Sequence, residues 1–127
     1  DLADHALAKA RAAQYDVEAV EPLPPELRKR WVQINNGVAT ISPEAAQLVR
    51  FRTLNLHGPW PIKRQFDVIF CRNVMIYFDQ PTREKLIDRF VDQLVPNGHL
   101  FIGHSERVSG PAEKRLQLVN LTTYRRG

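Results

Sequence analysis

The clearest hydrophobic pattern lies in the second half of the chain. Phe66–Cys71 is a nearly continuous apolar run, which is typical of a strand covered on both faces. From Gln80 to Leu94 apolar residues recur at helical spacing, with Pro81 in the first turn. A Pro-Asn-Gly turn at 96–98 ends this helix, and His99–Gly103 predicts a second buried strand. The order of strand, helix, turn and strand predicts a βαβ unit with parallel strands.

The two ends of the chain add a helix and a closing strand to this unit. Residues from about Asp4 to Gln14 are rich in Ala, Leu, Lys and Arg, which favour a helix with a stripe of small residues against a sheet. Leu116–Arg125 alternates apolar and polar residues, which predicts an antiparallel strand or a hairpin. The chain as a whole is therefore predicted to have an α/β fold.

The segment between these parts predicts a small antiparallel sheet. Prolines in residues 17–26 argue against regular structure there, and Pro25 opens a short helix that ends near Trp31. Residues 31–34 and 38–41 flank an Asn36-Gly37 pair, which favours the tight turn of a hairpin. With Leu48–Leu54 as a third strand, the sequence predicts an inserted β-subdomain at about residues 31–54.

The composition excludes several classes of protein. Of the 127 residues, 43% are hydrophobic and 25% are charged, which is ordinary for a globular protein. The single Cys71 rules out an internal disulfide and a multi-cysteine zinc site. No apolar run approaches the ~20 residues of a membrane span, and Asp1 opens no signal peptide. A cytoplasmic protein without direct membrane insertion is expected.

The positive charge does not have the distribution of a nucleic-acid binder. The formal net charge is +4, but basic residues occur as short groups such as Arg28–Arg30, with acidic residues between them along most of the chain. Nucleic-acid binders usually concentrate positive charge on one face. A solvated mixed surface, or a docking face for an acidic partner, is the better interpretation.

Polar residues at strand ends are the candidates for chemistry, because ligands of open α/β sheets bind beyond the carboxyl ends of the strands. The candidates are Arg72 and Asn73 after the first buried strand, His104, Ser105 and Glu106 after the second, Asn55 after Leu48–Leu54, and Asp1.

The Arg72-Asn73 pair and a further candidate, Tyr77, have structural alternatives. Arg72 and Asn73 either bind a ligand or only hold the following loop through backbone carbonyls. Tyr77, four residues beyond Asn73, is either a core aromatic with its hydroxyl at the rim or a residue that presents this hydroxyl to a reacting group. The sequence pattern alone leaves both alternatives open.

No metal site is predicted. His104 is interpreted as a strand-end histidine bonded to backbone rather than a metal ligand. His57 and His99 have no carboxylate or cysteine at ligand spacing, and a thiol at Cys71 inside an apolar strand is inert.

Several motifs resemble the chemotaxis-receptor glutamate methyltransferases, the CheR family. Phe66–Asp79 is similar to the most recognisable segment of that family. Phe101–Glu106, Leu54–Leu56, and Leu7–Arg11 followed by Tyr15 support the resemblance in the same order along the chain. The resemblance implies a partial Rossmann-like methyltransferase fold that binds S-adenosylmethionine.

The resemblance also implies a role for each matching residue. Asp1 corresponds to the acidic residue that holds the ribose hydroxyls of S-adenosylmethionine, and Asn55 and Leu56 correspond to positions lining the adenine pocket. Arg72 and Asn73 correspond to a pair at the cofactor beside the point of methyl transfer.

The implied reaction is methylation of glutamate carboxylates on bacterial chemoreceptors, with S-adenosylhomocysteine as product and without a metal. Tyr77 and Arg72 would orient the carboxylate. The family's insert docks onto the receptor. Here the insert, from Trp31 to Phe51, is a few residues shorter than in members that grip a tethering peptide, which argues against such tethering.

Two departures from the family pattern modify these expectations. Ala3 stands where the family often has a second Asp. The family's N-terminal helical domain and first strands, with their glycine-containing cofactor loop, have no counterpart in the sequence, so residues 1–127 correspond to the C-terminal part of the catalytic domain. Alone, this chain is expected to bind cofactor poorly, to be inactive and to self-associate. The alternative is a non-catalytic remnant that docks onto receptors or signalling proteins.

Overall fold

The computed structural model describes residues 1–127, which form two compact units, Asp1–Gly58 and Pro59–Gly127. The first unit contains α1 (Asp4–Ala12), β1 (Gln14–Asp16), α2 (Val17–Val20), α3 (Pro25–Trp31), β2 (Val32–Asn35), β3 (Val38–Ile41) and α4 (Pro43–Ala46). The second contains β4 (Phe66–Cys71), a 3₁₀ turn (Met75–Tyr77), α5 (Gln80–Gln93), β5 (Leu94–Ile102), a second 3₁₀ turn (Pro111–Arg115), β6 (Leu116–Asn120) and β7 (Thr123–Arg126). None of the helices has the length and apolarity needed to cross a bilayer.

The sheet of the first unit is antiparallel, with strand order β1-β3-β2. The predicted hairpin is confirmed as β2 and β3. Asn36 and Gly37 connect these strands with φ angles of 50° and 78°. Two consecutive positive φ angles are what a type I′ hairpin turn requires, and the Asn-Gly pair tolerates them better than other residues do.

The prediction of a third strand at Leu48–Leu54 is wrong. The third strand of this sheet is β1, which pairs with β3 from Gln14↔Thr40 to Asp16↔Val38. The composition of residues 48–54 favours a strand, but none forms there, because strand formation also depends on pairing with residues distant in sequence.

Two local predictions in the first unit also need correction. The first helix ends at Ala12 rather than Gln14, because Ala13 adopts a left-handed conformation with φ of 55°. Residues 17–26 are not wholly irregular, since Val17–Val20 form one helical turn. The first proline of that segment is Pro22, and a proline restricts only the residue before it and the residues that follow.

The predicted βαβ motif is confirmed and lies in the second compact unit. β4 and β5 pair in parallel, and α5 connects them. The predicted closing segment is a hairpin of β6 and β7, and β7 pairs antiparallel with β5, so the strand order is β4-β5-β7-β6. The fully buried side chains of this unit include Met75, Ile87, Val91, Leu100 and Ile102. The chain is thus a mixed α/β protein with two sheets.

The strand predicted at His99–Gly103 begins earlier, at Leu94. Its register against β4 shifts from Phe66↔Leu94 to Val68↔His99. The residues between, including the Pro-Asn-Gly sequence, are accommodated as an irregularity inside the strand, with Asn97 at a φ of 66°. The prediction of a turn before the strand is therefore wrong, because residues 96–98 form an irregularity inside the strand.

β4 is not covered on both faces as the apolar run predicted. It lies at the edge of its sheet, and Phe66, Val68 and Phe70 on one face are exposed, with 71% of the Phe70 surface accessible. Cys71, at the end of the strand, is buried. A continuous apolar run predicts burial only if another element covers each face.

Candidate functional site

The loop that follows β4 carries three of the predicted site residues. Arg72 and Asn73 come directly after Cys71, and Tyr77 closes a 3₁₀ turn whose first residue, Met75, is anchored in the core. Asp79 then begins α5, where its carboxylate accepts a hydrogen bond from the Thr82 N–H at 2.9 Å. This loop is therefore short and held at both ends by regular structure.

The structure argues against the purely structural alternatives for these side chains, while their binding roles stay a prediction. Tyr77 is 80% exposed, so it is not a core aromatic. Arg72 and Asn73 are also exposed, and neither side chain is hydrogen-bonded to a backbone carbonyl of the loop. All three side chains are therefore available to contact other molecules.

Glu106, not Arg72 or Asn73, holds this loop. The carboxylate of Glu106 is buried, and its Oε1 accepts hydrogen bonds from the N–H groups of Asn73 at 2.9 Å and Gly103 at 2.7 Å. Its Oε2 accepts a third from the N–H of Ile76 at 3.2 Å. Because β4 and β5 are parallel neighbours, the ends of both strands meet at this carboxylate.

Asn73 adopts a left-handed conformation with φ of 60°. Asn tolerates this region better than most residues do, but a single residue still needs its surroundings to hold it there. Those surroundings are the bond to Glu106 and a close approach to Gly103, where an added Cβ would lie 3.0 Å from the Asn73 nitrogen.

Cys71 is buried behind the loop. Burial raises the pKa of the Cys71 thiol to about 11, and the nearby charge of Glu106 raises this pKa as well. A thiol with such a pKa is almost wholly protonated at neutral pH and is a poor nucleophile.

In the first unit, Asp1 lies beside the segment that leads to Asn55. The Asp1 nitrogen donates to the Arg52 carbonyl at 3.3 Å, and the Leu54 N–H donates to the Asp1 carbonyl at 3.1 Å. Asp1 is therefore bonded to the residues on either side of Thr53, which is the hydrogen-bond pattern of two parallel strands. Asp1 and Asn55 therefore lie near the same end of this local pairing.

The side chains of these residues keep polar groups available. One carboxylate oxygen of Asp1 accepts from the Ala3 N–H at 2.9 Å, and the side chain is exposed. The Asn55 side-chain oxygen accepts from the His57 N–H at 3.0 Å, which forms a tight turn, and Leu56 is half-buried. The predicted cofactor residues thus form two local groups, Asp1, Asn55 and Leu56 in the first unit and Arg72 and Asn73 in the second.

The remaining strand-end candidates follow β5. His104 is exposed, and its backbone carbonyl accepts a hydrogen bond from Arg107 at 3.0 Å. No group of three or more His, Cys, Asp or Glu side chains is arranged to hold a metal ion.

Comparison with known proteins identifies the family. The family described as CheR methyltransferase, SAM binding domain, matches residues 1–125. The chain belongs to the CheR methyltransferase family. The resemblance inferred from the sequence motifs is thereby confirmed.

Relatives of this CheR-family chain carry consistent names. A probable chemotaxis protein methyltransferase of Rhizobium etli is 45% identical, with the match covering 98% of this chain and 48% of the relative. The chemotaxis protein methyltransferase of Escherichia coli is 40% identical over 98% of this chain and 45% of the relative. Chemotaxis protein methyltransferase 2 of Pseudomonas aeruginosa is 46% identical over 76% of this chain and 36% of the relative. The CheR-family chain spans less than half the length of these three relatives.

The role of Glu106 in this CheR-family chain was not predicted from sequence. In the sequence, Glu106 is only one of three polar residues that follow a predicted strand. The sequence does contain a signal for this role. Backbone N–H groups at the ends of two neighbouring parallel strands need an acceptor, and Glu106, three positions after Gly103, is an acidic residue close to those ends.

Proposed function

We propose that this chain is part of a cytoplasmic enzyme that transfers the methyl group of S-adenosylmethionine to glutamate carboxylates of bacterial chemoreceptors. The observation that supports this most is the loop after β4, which presents Arg72, Asn73 and Tyr77 to solvent. Hydrogen bonds to the buried Glu106 carboxylate hold the backbone of this loop. Such a loop suits a reaction that depends on orientation. Family membership supports the same cofactor and a partial Rossmann-like arrangement of the strands.

The resemblance assigns polar groups in each unit to S-adenosylmethionine, and the exposure of these groups supports the assignment. Asp1 retains an exposed carboxylate that can accept hydrogen bonds from the two ribose hydroxyls, and Asn55 and Leu56 offer a polar and an apolar contact for the adenine. Arg72 and Asn73 would contact the cofactor near its reacting end. When bound, S-adenosylmethionine supplies a methyl group on a sulfonium, which a carboxylate takes directly to leave S-adenosylhomocysteine.

The residues of the chain then have to orient the receptor glutamate rather than move a proton. A glutamate carboxylate has an ordinary pKa near 4.3, so it is ionised at pH 7 and gives up no proton in the reaction. Arg72 and Tyr77 supply a cation and a hydroxyl donor that can fix its two oxygens. Alignment of this kind contributes roughly 7–11 kcal/mol in favourable cases.

The first unit supplies a surface suited to the receptor. An open apolar groove in this unit is lined mainly by Leu23, Leu27, Trp31, Leu48 and Val49. A neighbouring groove, which shares Val32 with the first, includes the basic side chains Arg28 and Lys29. Apolar contact beside positive charge suits an acidic protein surface.

Calorimetric titration with S-adenosylhomocysteine tests the proposal. The ligand is titrated into the 127-residue chain and into a form extended on its N-terminal side. We expect tight binding only to the extended form, because each lost cofactor contact of 1.5–3 kcal/mol lowers affinity about tenfold or more. We also expect only this form to methylate receptors.

Each outcome of this titration has a defined meaning. Tight binding to the extended form supports a methyltransferase whose cofactor site needs more than these residues. Equal, tight binding to both forms would contradict the expected weakness of the chain alone. Absence of binding to either form would replace the proposal with a non-catalytic module that docks onto receptors or signalling proteins.

A further inference from the structure

We infer that Glu106 is a positioning residue for the cofactor site, a role that rests on the proposed function. Its carboxylate holds the backbone of the loop that presents Arg72, Asn73 and Tyr77, so the geometry of those three side chains depends on it.

The geometry of the carboxylate supports this role. Its two oxygens accept from Asn73 and Ile76, which lie on either side of Val74 and Met75, and the third bond ties the loop to Gly103 at the end of β5. Hydrogen bonds to a charged acceptor are about twice as strong as neutral ones. A single buried side chain therefore fixes the loop at two points against the neighbouring strand.

The loop needs such support because its functional side chains cannot supply it. Arg72, Asn73 and Tyr77 are all exposed, so packing does not fix them. Only Met75 is anchored in the core. A binding site keeps its geometry when residues behind it hold the contacting residues in place.

Gly103 is part of the same arrangement. A Cβ at this position would lie 2.8 Å from Glu106 Oε1 and would collide with the side-chain oxygen of Asn73. Any larger residue would displace the carboxylate or Asn73. The close approach of the two strand ends thus depends on glycine at position 103.

Three variants test the inference: Glu106→Gln, Glu106→Ala and, as a control, Val108→Ala. Glutamine keeps one acceptor oxygen for Asn73 and Gly103 but turns an N–H₂ group toward the Ile76 N–H. Alanine removes all three bonds. Val108 is also buried and lies only two residues away, but its backbone N–H donates to the Tyr124 hydroxyl and not to the loop.

Two quantities are measured on whichever form of the protein binds S-adenosylhomocysteine more tightly. The first is the amide hydrogen-exchange rate at Asn73, Ile76 and Gly103 without ligand, and the second is the dissociation constant for S-adenosylhomocysteine. We expect Glu106→Gln to accelerate exchange mainly at Ile76 and to weaken binding about tenfold. Glu106→Ala should accelerate exchange at all three amides and weaken binding further. Val108→Ala should change neither the exchange rates nor the dissociation constant when it is compared under conditions in which the proteins have equal free energies of unfolding.

Unchanged affinity in folded Glu106→Gln protein would overturn the inference, as would an equal loss of affinity in Val108→Ala. If Glu106→Ala does not fold, the glutamine variant decides the question. Absence of binding in the unsubstituted protein would instead overturn the proposed function, and the exchange rates would still show whether Glu106 holds the loop.

Discussion

Tyr77 lies on an anchored turn but has most of its own surface in solvent. Met75, two residues earlier, is buried, and the Tyr77 N–H donates to the Val74 carbonyl at 3.3 Å. The hydroxyl can therefore be removed without disturbing the fold. This makes Tyr77 the most direct residue at which to test catalysis separately from binding.

In the form of the protein that is active, Tyr77→Phe is expected to lower kcat about 10- to 100-fold. The reason is the loss of one hydrogen bond to the charged receptor carboxylate, worth ~1.5–3 kcal/mol. Affinity for S-adenosylhomocysteine should change less than about twofold, and the melting temperature should not change. Steady-state kinetics and calorimetry on the same samples measure these quantities, and equal losses in kcat and cofactor affinity would refute the assignment.

Cys71 makes stability depend on pH in the alkaline range. Its thiol pKa is raised from 9.0 to about 11 by burial and by Glu106, so the folded chain holds the proton more tightly than the unfolded chain. The resulting stabilisation is complete below about pH 9 and is lost as pH rises through about 11. The expected loss is on the order of 2 kcal/mol.

Urea unfolding at a series of pH values measures this effect, with Cys71→Ala as the control. The alanine variant removes the thiol and should therefore show a smaller decrease in unfolding free energy between pH 9 and 11. An identical decrease in both proteins would mean that other groups cause it.

At the scale of elements, the irregularity inside β5 depends on Gly98. A Cβ on Gly98 would lie 2.9 Å from the Val95 carbonyl oxygen and 3.1 Å from the Asp67 carbonyl oxygen. Both are backbone atoms, so they cannot move aside without a change in the pairing of β4 and β5. The glycine therefore sets where the parallel register resumes.

Gly98→Ala is expected to lower the free energy of unfolding by about 1–3 kcal/mol, the usual range for overpacking. Gly58→Ala is a matched control, because a Cβ there would meet atoms of Asn55 no closer than 3.6 Å. Urea denaturation of both variants measures the difference. Equal stability of the two variants would show that the irregularity adapts to a side chain.

Local sequence signals predicted most of the elements. Asn36-Gly37 predicted the hairpin, Pro81 marked the first turn of α5, and the apolar run of β4 predicted its strand. The third strand of the small sheet was missed, because Gln14–Asp16 contains no strong strand signal and gains its structure from pairing with β3. The local pattern also did not predict that one face of β4 is exposed. Burial of a strand depends on the elements packed against it, which its own sequence does not reveal.

The sequence predicted residues for the candidate site, which stay a prediction, but it did not predict the side chain that holds their loop. The rule that ligands bind beyond strand ends selected Arg72 and Asn73 without knowledge of the family. The function of Glu106 depends on which two strands are neighbours, and on which N–H groups are left without partners at their ends. That information appears only when the fold is known.

At the scale of the whole molecule, the exposed face of β4 is expected to cause self-association. The strand lies at a sheet edge, with Phe66, Val68 and Phe70 exposed on one face. An apolar edge strand is a template for pairing with another chain. The 127-residue chain should therefore form dimers or larger species at micromolar concentration.

Phe70→Lys is expected to shift this association at least tenfold toward monomer, because it places a charge on the exposed face of the strand. Leu121→Lys is the control, since Leu121 has nearly the same exposure, 72% against 71%, but follows β6 at the other end of the sheet. Sedimentation velocity over a range of concentrations distinguishes the two variants. A larger shift in the Leu121 variant would place the association at the opposite edge.

The stretch before β4 is expected to be accessible to a protease. Residues 59–65 contain no helix or strand, and Lys63 and Arg64 within them are exposed. The earlier basic residues Arg50 and Arg52 flank Phe51, whose carbonyl is bonded to Arg11. Because exposed irregular segments are the preferred sites of proteolytic nicking, brief digestion with trypsin should cut first after Lys63 or Arg64. The C-terminal fragment would contain β4 through β7 and would keep the Arg72–Tyr77 loop together with Glu106.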